Sequence, residues 1–65
     1  MTLQQKVQLL YRDYSAQDIA NKLTELSGRP VPVSTVYAYG NGQINDIRIK
    51  AVKAALDRLV EGYEA

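Results

Sequence analysis

Ser34, Thr35, Tyr37 and Ala38 are the residues of this chain whose types and spacing offer the most chemistry. They fall in one short segment that reads as a helix from about 34 to 40, small and polar in its first turn with an aromatic on its outward side. Such a surface has little to offer a hydrophobic core. Its hydroxyls can donate to and accept from base edges or phosphates, and a Thr methyl or an Ala suits the thymine methyl group. Ser34 and the free N–H groups at the helix start can hold a phosphate. In the loop that follows, Asn41 and Asn45 offer carboxamides to bases or to a nucleic-acid backbone. Gln17 and Lys22 on the preceding helix, Arg29 in the connector, and Arg48 and Lys50 after the loop supply partners for phosphates.

Each of these residues also has a plainer reading. Ser34 reads equally well as a helix cap. Tyr37 divides evenly between an exposed contact and a lid over the connector prolines, whereas the spacing of Tyr39 from Val36 makes it core. Arg48, Lys50 and Lys53 read as the solvated face of an amphipathic helix. Gly40 and Gly42 are turn residues first, and Asn41 and Asn45 are divided among turn, cap and base contact. The order of all of them together carries the nucleic-acid reading.

Four helices must position these groups. Thr2 caps the first, with Gln5 completing a capping box. Leu3, Val7, Leu10 and Tyr14 form its apolar stripe, and it should end near Asp13 or Tyr14. Ser15 caps the second, with Asp18 favourable at the positive helix end. Ala16, Ile19, Ala20, Leu23 and Leu26 form its expected buried face, and Gly28 terminates it. The stretch from Arg29 to Val33 cannot stay helical because Pro30 and Pro32 bias the residues before them toward extended backbone. Either Val31 or Val33 should tuck into the core. The third helix is capped by Ser34, turns Val36 and Tyr39 inward, and ends at Gly40-Asn41-Gly42. Asn45 caps a fourth from Asp46 to Glu61, with Ile47, Ala51, Val52, Ala55, Leu56 and Leu59 as its stripe. Asp46–Lys50 and Lys53–Asp57 would be i,i+4 pairs on it. Gly62 should end it, leaving Tyr63-Glu64-Ala65 as a frayed tail. No strand pattern, internal repeat or linker is visible, so the expected fold class is all-α, a small four-helix domain in which helices two and three make a helix-turn-helix.

Composition narrows the function classes. A chain of 65 residues permits one domain, and its 46% hydrophobic content argues against disorder. Without Cys there is no disulfide and no thiolate metal site, and without His the commonest general base is missing. A chain this small also struggles to enclose a substrate pocket. An enzyme, a cofactor and a small-molecule substrate are therefore not expected. The N-terminal residues lack the long apolar run of a signal peptide or membrane span, so no membrane association is expected and the location expected is cytoplasmic, at the nucleoid. The formal net charge is only +1, but the segment from Lys22 to Lys53 carries three more positive than negative charges. A local basic face is compatible with that distribution.

The residues from 15 to 60 resemble the lambda-repressor and Cro-like family of phage and bacterial regulators. Ser15-Ala-Gln-Asp-Ile-Ala-Asn-Lys-Leu23 looks like the second helix of that family, with its Ile-Ala pair at 19–20. Ser34-Thr-Val-Tyr-Ala-Tyr-Gly-Asn-Gly42 looks like its third helix and the Asn-Gly turn after it. Ile44 and Asn45 fall where members often place a DNA-contacting loop. Two departures are visible: the connector from Ser27 to Val33 is longer than the family's tight turn, and Ala16 and Val33 stand where members often have Gln. The resemblance implies a transcriptional regulator, Cro- or repressor-like, from a phage or mobile element. It would read double-stranded DNA in the major groove with helix 34–40, and the chain's size and its helix 46–61 motivate a homodimer on a two-fold operator. The alternative is a protein-interaction module, an antitoxin- or adaptor-like helical bundle that keeps the shape without binding DNA.

Overall fold

Two capping boxes set the starts of the first two helices in the computed structural model, which describes residues 1–64, the last by its backbone alone. Helix α1 spans Leu3–Leu10, where Thr2 Oγ1 accepts from the Gln5 N–H at 3.1 Å and Gln5 Oε1 accepts from the Thr2 N–H at 2.8 Å. It ends sooner than its apolar stripe suggested. Arg12 and Asp13 donate to Leu9 and Leu10, three residues back, and this tighter winding closes the helix before Tyr14. Helix α2 spans Ala16–Ser27 and begins on the reciprocal bonds of Ser15 and Asp18. Gly28 closes it in the left-handed conformation at φ 71°, which residues with a Cβ adopt only under strain.

Leu26, expected in the core, is instead exposed. At about 100° per residue, Ser27 rather than Leu26 continues the line of Ala16, Ala20 and Leu23.

The five residues from Gly28 to Pro32 form the connector, and Thr24 braces it: its hydroxyl accepts from the Val31 N–H at 3.0 Å. Val31 is the connector residue that enters the core, while Val33 is half-buried. Helix α3 spans Val33–Gly40 and is entered from Pro32, not capped by Ser34. The ring sets Pro32 at φ −65° and ψ 150°, and its carbonyl accepts from the Thr35 and Val36 N–H groups. Ser34 thereby falls inside the first turn, free of a capping duty.

Residues 43–49 carry no helix, and α4 spans Lys50–Glu64, four residues later than the sequence pattern suggested. The β-branched Ile47 and Ile49 favour extended backbone, and Ile47 is buried there as the anchor of the crossing segment. Ile49 supplies the first carbonyl of the helix, accepting from the N–H groups of Val52 and Lys53. The expected Asp46–Lys50 helical pair therefore does not exist, and Asp57 bonds across to Lys6 at 2.7 Å. The later start leaves Ala51 exposed and makes Val52, Ala55, Leu56 and Val60 the buried stripe. At the other end α4 runs through Gly62. Glycine weakens a helix by about 1 kcal/mol, but Tyr63 packs on Tyr14 with ring centroids 6.5 Å apart, and that packing holds the last turn. Ala65, part of the expected tail, lies outside the described residues.

The four helices pack as a ring: α3 and α4 each bridge α1 and α2 from opposite sides. Leu10, Ile19, Leu23, Leu56, Val7 and Val36 are the largest fully enclosed side chains, drawn from all four helices. No polar or charged side chain is buried among the described residues. The fold is a small all-α, four-helix domain, with no strand in the described residues.

Candidate nucleic-acid interface

Helix α3 is short, and its burial is one-sided. Val36, Tyr39 and Gly40 face α1 and α2, with Val36 wholly enclosed. Gly40 comes so close to α1 that a Cβ there would stand 2.9 Å from the Tyr11 hydroxyl oxygen. The Gln8 carboxamide donates to the Gly40 carbonyl at 2.6 Å, fastening the same end. Ser34, Tyr37, Ala38 and Asn41 then fall at i, i+3, i+4 and i+7, so they make one outward stripe. Ser34, Tyr37 and Asn41 are exposed and Ala38 half-exposed; Tyr37 stands 58% open to solvent. No charged side chain belongs to this stripe.

Asn41 closes the helix and its Oδ1 accepts from the Gln43 N–H at 3.0 Å, which aims the carboxamide and leaves Nδ2 to donate outward. Tyr11 lies beside Tyr37. Its phenol titrates above 10.0, first because of burial and then because of the neighbouring Tyr37. Burial alone raises Tyr39 in the same direction.

Thr35 sits off the outward stripe, on the flank of α3 that faces the crossing segment. There it lines a shallow groove of about 220 Å³ with Pro30, Pro32, Tyr39, Asp46 and Arg48. Thr35 and Arg48, far apart in sequence, are thus brought together. Arg29 is exposed in the connector just before this groove, and the Ser27 hydroxyl bonds both its N–H and its carbonyl. Lys50 is exposed at the first turn of α4.

Two of the sequence-derived candidates go elsewhere. Lys22 lies over the Tyr14 ring, 5.8 Å from its centroid, on the flank of α2 roughly 160° from Thr24 and the connector. Asn45 lines a separate groove of about 450 Å³ between the start of α1 and α4, with Leu3, Lys6, Lys53 and Leu56. Gln17 is exposed on α2, on the same flank as Thr24 at about 100° per residue, and its Nε2 donates to Asn21 Oδ1 at 3.0 Å. Conversely, Tyr11 and Gln8 belong to the surroundings of α3 although neither is among the sequence-derived candidates. Only the tertiary approach of Gly40 to Tyr11 reveals them.

Comparison of the chain with protein-family models, with curated proteins and with solved structures gave no match. Among the described residues no group of three or more His, Cys, Asp or Glu side chains is placed to hold a metal ion. No helix among them is long and apolar enough to cross a membrane.

Proposed function

We propose that this domain binds duplex DNA sequence-specifically through the outward face of α3, as a transcriptional regulator of the kind its sequence resembles, the lambda-repressor and Cro-like regulators. One observation carries the reading. Helix α3 turns every large apolar side chain except Tyr37 inward and offers solvent a narrow stripe of hydroxyl, methyl and carboxamide groups. A helix of that form suits the width of the major groove and the chemistry of base edges. Arg29 and Arg48 flank its N-terminal end, where they would meet phosphates and set the register without reading sequence. With a net charge of +1 one copy would bind weakly, so the proposal includes a homodimer on a two-fold related operator, blocking competing proteins sterically. No catalysis and no cofactor enter this function, and its place is the nucleoid.

The test is selection from a pool of random duplexes, with binding of the winner then followed against salt. A recovered two-fold motif whose affinity falls steeply with salt supports the reading. No enrichment at low salt and high protein concentration sinks it. A second reading has its own support: Tyr37, Ile44 and Ile49 are exposed on a nearly neutral molecule, as on an antitoxin- or adaptor-like protein-interaction module. Under that reading Thr35→Ala and Tyr37→Ala leave behaviour toward DNA untouched.

A further inference from the structure

We infer that the duplex recognised by α3 presents A·T base pairs, with thymine methyl groups, to the outward stripe from Tyr37 to Asn41; the inference rests on the DNA reading above and names its ligand. It follows from what the outward stripe contains and lacks. Guanine is most often read by Arg or Lys donating to O6 and N7, and cytosine by Asp or Glu accepting from N4. Ser34, Tyr37, Ala38 and Asn41 include none of these four types. The nearest cations stand off the stripe. Arg29 belongs to the connector, its backbone held by Ser27, and Arg48 belongs to the side groove with Thr35 and Asp46. The two commonest side-chain routes to a G·C pair are therefore absent from the face that would meet base edges.

The groups present match the other pair. Adenine offers an acceptor at N7 beside a donor at N6, the pattern a carboxamide answers. Asn41 is aimed by its bond to the Gln43 N–H, with Nδ2 free to donate and a second lone pair on Oδ1 free to accept. One helical turn back, the Ala38 methyl and the Tyr37 ring offer apolar surface to the C5-methyl of thymine. Ser34 and the Tyr37 hydroxyl can bond to any base or to phosphate and add no preference.

The experiment is competition binding with the duplex recovered by selection, each central base pair replaced in turn, and each thymine replaced by uracil to remove only its methyl. Exchanging a central A·T for G·C should weaken binding roughly tenfold or more. Uracil should weaken it by a few-fold, and Ala38→Ser, which retains the helix, should erase most of that loss at one position. A bound duplex whose centre is G·C, or one indifferent to the thymine methyls, overturns this inference and leaves the DNA reading standing. Failure to recover any bound duplex overturns both.

Discussion

Helices α3 and α4 hold equivalent places in the ring, each bridging α1 and α2, yet their outward faces are opposites. That of α4 carries Lys50, Lys53, Asp57, Arg58 and Glu61, both signs interspersed among alanines. Such a face of mixed sign is well solvated. That of α3 carries no charge, holds an exposed tyrosine, and ends in an oriented carboxamide. The same core thus supports one face built for solvent and one suited to contact. The difference teaches that burial alone does not distinguish two helices of one core; what their unburied side chains can donate and accept does.

The comparison breaks most severely from inside. Leu56→Ala, at a position 1% exposed, should lower stability by about 2–5 kcal/mol, whereas Arg58→Ala on the outward face of the same helix should stay within about 0.5 kcal/mol. Urea denaturation followed by circular dichroism measures both. On α3 the contrast lies in binding. Tyr37→Ala should leave the urea midpoint nearly unchanged and weaken the selected duplex roughly tenfold, while Arg58→Ala changes binding little. Isothermal titration of both variants decides this. Gly28→Ala should cost about 1 kcal/mol, from strain at its left-handed backbone and not from crowding, because nothing stands within 4 Å of the added methyl.

Alkali should loosen the domain. Tyr11, Tyr39 and Tyr63 all titrate above 10.0 in the folded chain, chiefly through burial. The folded state then holds these protons more tightly than the unfolded one. Their contribution is complete below pH 10.0 and declines as the pH rises beyond it. Thermal melts across that range, with tyrosinate absorbance, check the direction. A small effect belongs to the Lys6–Asp57 pair, 2.7 Å long but partly solvated: Asp57→Asn should cost at most about 1 kcal/mol, and less in high salt.

Local chemistry was the legible part of the fold. Thr2 with Gln5 and Ser15 with Asp18 are complete within four residues, so the starts of α1 and α2 could be read directly. So could the inward turn of Val36 and Tyr39, because their spacing admits one face. The start of α4 was not legible. Asn45 and Asp46 look like a helix entry, yet that stretch is not helical, and Ile47 within it is buried against distant residues. The role of Pro32 was hidden for a related reason: a serine beside it carries the commoner capping signal. Of the candidate interface, the i, i+3, i+4 stripe on α3 was readable from periodicity. The meeting of Thr35 and Arg48 along one groove, the diversion of Lys22 to Tyr14, and the place of Tyr11 near Tyr37 all depend on contacts distant along the chain.

The central claim is that α3, and not α4, presents the working face. Backbone amide shifts recorded by NMR while the selected duplex is added test it most directly. The account predicts changes concentrated from Val33 to Gln43, with lesser ones at Arg29, Arg48 and Lys50, and an undisturbed outward face from Lys53 to Glu61. Changes centred on α4, or none anywhere at saturating duplex, would contradict it.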